Sequence, residues 1–254
     1  MKYKNNIFDV GAFNGLDGLI LAIKNPESMI HGFEANPNLI KEIKKNKKKI
    51  ELFKKIKIKN YKINNYAVSD KNSFLKFNIA KNPTVSSLNE FSNNIDKTWP
   101  GYREAHCTVV KKIRVKSITL EKYCINNKIN IINYLHVDTQ GSDLKVLKGL
   151  KKKIKIVQKG VLEAAVNSKN SLYKKNHTIK EAKSFLMKNE FKISKIEDID
   201  ENIKNEKNIF FHKKKNSNLK KIVSKYNLRY YNRIISDRTN SKDKFINFFS
   251  KLLN

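Results

Sequence analysis

Few folds accommodate the stretch Ile7-Phe8-Asp9-Val10-Gly11-Ala12-Phe13-Asn14-Gly15. Ile7, Phe8 and Val10 form a short apolar strand, the glycines form the turn after it, and Leu16, Leu19, Ile20 and Ile23 carry a helical period onward. A second apolar strand, Met29, Ile30, Gly32 and Phe33, ends at Glu34 and runs into Ala35-Asn36-Pro37. Strand, glycine turn, helix, strand and terminal acid read together as a nucleoside-cofactor site. Taken singly, Asp9 and Glu34 would be ordinary polar strand ends, and the spacing is what favours function.

The spelling of the turn selects the cofactor. A dinucleotide-binding turn needs glycine at three spaced positions so that the backbone can approach a pyrophosphate. Here Phe13 and Leu16 occupy the second and third of them. Asp9 would also repel a phosphate, whereas its carboxylate can receive the ammonium group of a methionine moiety. S-adenosylmethionine therefore fits better than NAD. Glu34 offers two coplanar acceptor oxygens, the requirement for holding both ribose hydroxyls.

With 254 residues, the chain can bury one sizeable core and carry a tail. Residues 1–212 are expected to form that domain, and residues 213–254 a basic helical tail. The start of the chain is too polar for a signal peptide and no apolar run is long enough to span a bilayer, so a cytoplasmic protein is expected. Cys107 and Cys124 lack metal-ligand spacing and read as reduced, partly buried thiols.

A formal charge of +31 invites a nucleic-acid reading. Of 54 basic residues, however, only Arg103, Arg114, Arg229, Arg233 and Arg238 are arginine, the residue suited to bidentate phosphate recognition. Lysine, asparagine and isoleucine are in excess together, and all three have A- and T-rich codons, so a solvated lysine surface is the preferred reading and nucleic acid is disfavoured as a partner. The tail carries two apolar stripes, Leu219, Ile222, Val223, Tyr226, Tyr230 and Ile234, then Phe245, Phe248, Phe249 and Leu252. Such a stripe docks on its own domain or a partner more often than on anionic lipid, although peripheral membrane contact through the tail stays open.

Along the chain the pattern gives a helix over 38–49, a strand over 61–68, another through Phe74 to Ile79, and a long polar loop over 82–103. A strand over 109–118, a helix opened by Thr119, a buried strand over 131–138 and a helix over 143–150 follow. A strand over 154–163, a helix over 179–187, and a closing pair, 191–196 with 209–211, complete the order. Strands alternate with helices almost throughout, which means a parallel sheet covered on both faces.

In such a sheet ligands bind at the carboxyl ends of the strands. That rule gathers Asp9, Glu34, Asn65, Asp138 and Glu163 on one rim. His136 and Asp138 share a strand face, and a base there could take the proton of an acceptor hydroxyl during methyl transfer. Asp138 could instead cap the following helix, and His136 could be a satisfied core histidine. No companion ligands beside Asp138 make a metal site.

The runs Thr119-Leu120-Glu121 and Leu135-His136-Val137-Asp138-Thr139-Gln140-Gly141-Ser142-Asp143-Leu144-Lys145-Val146-Leu147-Lys148-Gly149 are similar to the signature of the FkbM-type methyltransferase family. The turn from Asp9 to Gly15, Phe33 to Pro37, Asn65-Tyr66-Ala67-Val68-Ser69-Asp70, Ser86-Ser87-Leu88 and Leu172-Tyr173 fall in the family's order. The resemblance implies a Rossmann-like class I methyltransferase fold: a seven-stranded, mostly parallel sheet with helices on both faces and an antiparallel last strand. It implies O-methylation, from S-adenosylmethionine, of hydroxyls on sugars, glycans or related metabolites. On this chain it places Asp9, Gly11, Ala12, Asn14 and Gly15 at the methionine end, Glu34 at the ribose, and Asn65, Tyr66 and Ala67 at the adenine edge. Asp138 falls beside the methyl group, with Ser86, Ser87, Gln140, Glu163 and Tyr173 on the acceptor side. His136 stands where lysine is common, Ala35 where proline is, and Asp143 where glutamate is usual. An RNA methyltransferase and a non-catalytic basic adaptor are the alternatives. No Asn-Pro-Pro-Tyr or Asp-Pro-Pro-Tyr run of the kind that stacks a target base occurs at 138–141.

Overall fold

The computed structural model describes residues 3–99, 101, 106–200 and 203–214. The tail beyond residue 214, with both apolar stripes, lies outside the described residues. Strand β1 (Asn5–Val10) leads through the glycine turn to α1 (Leu16–Lys24), and β2 (Ser28–Phe33) leads to α2 (Pro37–Lys54). Proline at the first position of α2 costs no helical hydrogen bond, and the Asn36 side chain accepts from the Asn38 N–H at 3.0 Å. Next come β3 (Tyr61–Asn64), β4 (Ala67–Val68) and β5 (Phe74–Ala80), then a short helix α3 (Ile95–Thr98) and β6 (Val109–Ile118). The second half runs α4 (Leu120–Asn126), β7 (Tyr134–Val137), α5 (Asp143–Lys148), β8 (Lys159–Ala165), α6 (Ile179–Lys188), β9 (Phe191–Asp200) and β10 (Ile203–Lys213).

Seven strands form one sheet in the order β3-β2-β1-β7-β8-β10-β9. The pairs β3-β2, β2-β1, β1-β7 and β7-β8 are parallel, and β10 is antiparallel to both of its neighbours. Strand order reverses between β1 and β7, so the crevice of a doubly wound sheet opens there. Alternation splits the core between the faces. Phe8, Val10, Leu135, Val137 and Leu162 pack on one side with Leu120, Val146 and Leu186. Ile7, Tyr134 and Val161 pack on the other with Leu16, Leu19 and Ile43. Cys107 and Cys124 are buried free thiols, and burial pushes both up, Cys124 to about 12.

Several boundaries differ from the sequence reading. The single strand expected over 61–68 is two: β3 stays in the main sheet, while β4 joins β6 and β5 in a separate sheet. Asn64 and Asn65 turn the chain between them, and the side chain of each donates to backbone carbonyls of β2 or the residues just after it. Strands β5 and β6 form an antiparallel pair, which breaks the strict alternation of strand and helix. The strand expected over 154–163 begins only at Lys159, because residues Lys151–Ile156 wind into a 3-10 helix. The strand expected over 131–138 is shorter, Tyr134–Val137, and the loop over 82–103 includes the 3-10 turn Pro83–Val85 and α3.

Asn60 holds the end of the sheet remote from the crevice. Its buried amide nitrogen lies 2.8, 3.2 and 3.0 Å from the carbonyl oxygens of Ala22, Asn25 and Ser28. Asn60→Ala leaves those carbonyls without the amide and is expected to cost about 2 kcal/mol of folding free energy, read from denaturant midpoints. A loss below about 0.5 kcal/mol would contradict this role.

Candidate active site

Two strand ends and the turns after them meet at the crevice. Gly11 has φ +92°, and a Cβ there would lie 1.8 Å from the carbonyl oxygen of Asp138. Only glycine lets the end of β1 pass so close to the end of β7. The Asp138 N–H donates to the carbonyl of Val10 at 2.8 Å, and the Gly11 and Ala12 N–H groups both donate to Phe33. The same crossing thus fixes three strand ends.

The other glycines serve packing. A Cβ on Gly15 would meet the Ile43 side chain at 2.7 Å and the Tyr61 hydroxyl at 3.1 Å, and Cβ atoms on Gly18 and Gly32 would meet the Tyr61 ring or hydroxyl within 3.0 Å. Tyr61 is therefore seated in a slot made by three glycines, two of them outside the turn. Asn14 also looks inward: its carboxamide oxygen accepts from the Leu16 N–H at 3.1 Å and opens α1.

Asp9 is 2% exposed, and its Oδ1 lies 3.0 Å from Nδ1 of His136. Among the described residues nothing hydrogen-bonds its buried Oδ2. A buried carboxylate oxygen with unused lone pairs calls for a donor, and an ammonium group satisfies that demand. Burial opposes the charge on His136, but the hydrogen bond and field of Asp9, with Asp138 and Asp17 behind, outweigh it and raise the imidazole above its ordinary value.

Glu34 is buried at the end of β2. Its Oε2 accepts from the Phe13 N–H at 2.9 Å and its Oε1 from the Asn36 N–H at 2.7 Å. Phe13 holds φ +48°, so the turn presents its N–H to the acid through a left-handed residue. Burial pushes the Glu34 carboxyl up to about 7, against the pull of the backbone donors Asn36, Phe13 and Ala35, and the nearby Asp9 adds to the rise. Each oxygen retains a second lone pair for a hydroxyl. Asn65 holds the next turn through the carbonyls of Glu34 and Ala35, with Tyr66 half-buried and Ala67 buried beside it.

On the other side of the crevice a relay reaches Asp138. The Tyr173 hydroxyl lies 2.9 Å from both Oε1 of Gln140 and the carbonyl oxygen of Val85, which share its one proton, and Nε2 of Gln140 donates to Oδ1 of Asp138 at 2.7 Å. Gln140 sits at φ +55°, and Ser87 donates from Oγ to its carbonyl at 2.6 Å. Asp143 clamps the loop beneath: its Oδ1 accepts from the Thr139 N–H and hydroxyl, and its Oδ2 from the Glu163 N–H. Ser86, by contrast, closes its own turn by accepting from the Ala80 N–H at 3.1 Å. Glu163 is buried at the end of β8.

One acid was missed from the sequence. Glu206 of β10 lies opposite Ala165 of β8 on the face that carries Glu163, and its Oε1 accepts from the Asn176 side chain at 3.1 Å. Burial, with the fields of Asp143 and Asp138, pushes it up to about 8. The available signal was an acid two residues before Asn208 in an alternating strand, but the surrounding lysines made it look like a surface charge.

The model of the methyltransferase FkbM domain matches residues 9–205. The chain belongs to the FkbM methyltransferase family. Its cofactor is S-adenosylmethionine, and it is a methyltransferase. The chain is similar to the crystal structure of methyltransferase FkbM from Methylobacillus flagellatus, with 12% identity and a TM-score of 0.48, covering 83% of this chain and 44% of that one. It is also similar to TrmK of M. capricolum in complex with S-adenosylhomocysteine, with 12% identity and a TM-score of 0.45, covering 98% and 88%. A methyltransferase from Aquifex aeolicus has 9% identity and a TM-score of 0.43, with 83% and 82% covered. No curated protein has a sequence that matches it.

The buried acids set the direction of the pH dependence. Glu34 and Glu206 hold protons more tightly folded than unfolded, so stability falls as pH rises from about 4.5 through about 7 and about 8. His136, raised as well, acts in the same direction. His31 and His177, pushed down to about 4 chiefly by burial, act oppositely, but only up to the ordinary histidine value of 6.5. Cofactor-free protein is therefore expected to lose thermal stability above a pH of about 6.5, and Glu206→Gln to flatten that loss above about 7. Scans across the range check this; an unchanged slope in the variant would show that Glu206 titrates as an ordinary carboxylate.

Proposed function

We propose that the family member described here is an O-methyltransferase that acts on a hydroxyl of a sugar, glycan or related metabolite in the cytoplasm. The observation that carries this reading is the relay from Tyr173 through Gln140 to Asp138. It buttresses a half-buried carboxylate with neutral donors at the crevice, an arrangement suited to orienting a hydroxyl and accepting its proton.

In this reading residues 1–212 are the catalytic domain. Asp9 takes the ammonium group of the cofactor at its unpartnered oxygen, Glu34 takes the ribose hydroxyls, and Asn65 to Ala67 border the adenine. S-adenosylmethionine supplies an electrophilic methyl group on a sulfonium sulfur. Asp138 receives the acceptor's proton, and Gln140 keeps the carboxylate aimed. His136 holds Asp9 in place through Nδ1, so its first task is positioning. Because the imidazole favours its charged form beside Asp9, cofactor affinity should rise as pH increases and that proton is lost.

The electrostatics of the rim support a hydroxyl rather than a polyanion. Asp138, Asp143 and Glu206 lie close enough to raise one another's neighbours, and Asp9 and Glu34 interact in the same way. A phosphate backbone entering that field meets repulsion, while neutral hydroxyls find acceptors. RNA remains the second reading because of the formal charge of +31.

Transfer of radiolabelled methyl from S-adenosylmethionine to nucleotide sugars and glycans, against transfer RNA and ribosomal RNA, separates the two. The proposal expects label in the carbohydrate arm alone, and Asp138→Asn to lower kcat by about 10²-fold or more with cofactor affinity retained. Label in RNA alone would replace it with the second reading.

A further inference from the structure

The helix α2 is longer than the strands it covers. Its 18 residues extend about 27 Å, while the six residues of β2 extend about 20 Å. The inward stripe Leu39, Ile43, Asn46 and Ile50 is buried, but none of the last four residues of the helix is. Among the described residues nine large apolar side chains stand exposed, and three of them, Leu52 (79%), Phe53 (41%) and Ile56 (37%), fall within five consecutive positions. Lys55, at φ +52°, ends the helix between them, and only at Ile58 does the chain turn back into the core.

The surroundings of this apolar tip are cationic. Residues 41–59 hold ten lysines against two glutamates and no arginine. Lys41, Lys44, Lys45, Lys48, Lys55, Lys57 and Lys59 are all exposed. Two branched aliphatic side chains and a phenylalanine at the tip of a lysine collar match the two halves of a lipid interface: the apolar groups enter the acyl boundary and the ammonium groups meet anionic headgroups. A nucleic-acid surface would need arginine forks or several aromatic platforms, whereas residues 41–59 hold no arginine and one aromatic, Phe53, set between the aliphatic Leu52 and Ile56.

We infer that the end of α2 and the turn after it form a docking surface for an anionic phospholipid bilayer. Because α2 runs from the cofactor rim to the far end of the sheet, the docked enzyme keeps its crevice facing solution. Occupancy of the lipid surface and of the cofactor site are therefore independent.

Co-sedimentation of the full chain with vesicles tests this, using phosphatidylcholine alone and phosphatidylcholine mixed with phosphatidylglycerol. Wild-type chain is expected to partition onto the mixed vesicles alone. The variant Leu52→Ser, Phe53→Ser, Ile56→Ser and the variant Lys44→Glu, Lys45→Glu, Lys48→Glu should each lose at least about tenfold in partitioning. Both should bind S-adenosylhomocysteine as the wild type does, which establishes that they are folded. Undiminished partitioning of both variants would assign binding to another segment, such as 215–254, and overturn the inference. Equal partitioning onto neutral vesicles, or none onto either kind, would overturn it as well.

Discussion

The rim of the sheet depends on how closely two strand ends approach. Gly11 lies against the Asp138 carbonyl, and the space a Cβ would need is already filled by that oxygen. This contact sets Asp9 and Asp138 on adjacent strands at the point where strand order reverses. From there, backbone bonds from Gly11 and Ala12 to Phe33 bring the end of β2 into the same frame, and Glu34 with it. The turn then contributes its own Phe13 N–H to Glu34, so the two acids attributed to the cofactor are linked through the backbone of one loop.

Charge is partitioned unusually in this molecule. The surface is rich in lysine, whereas the crevice collects Asp9, Glu34, Asp138, Glu163 and Glu206 with little exposure for most of them. Burying several carboxyls together is costly unless they are hydrogen-bonded, protonated or matched by a cation. All three solutions occur: Asp143 is satisfied by backbone and hydroxyl donors, Glu34 and Glu206 rise to about 7 and 8, and Asp9 faces His136. On the proposed assignment a cationic cofactor offers a further match, its ammonium group set against the Asp9 carboxylate.

The sheet was legible because its strands are short apolar runs with turn residues between them, and the acids that end β1, β2 and the β7 run were visible as breaks in those runs. The small sheet of β4, β5 and β6 was not, because two adjacent asparagines look like any polar turn and nothing local says that Ala67 changes partners. The roles of Gly18 and Gly32 were hidden for a related reason: both make room for Tyr61, and that contact exists only after folding. Glu206 was obscured by composition, since an acid among lysines in an edge-side strand resembles a solvated pair. The relay through Gln140 was half legible, its residues named but their order dependent on a left-handed backbone at Gln140.

The central claim is that Asp9 and Glu34, fixed by the β1 turn, hold the cofactor. Calorimetric titration of the full chain with S-adenosylhomocysteine, repeated on Asp9→Asn and Glu34→Gln, tests it most directly. The account predicts saturable binding to the wild type and a loss of at least about tenfold in each variant, with the fold retained. Equal affinity in all three proteins would contradict it.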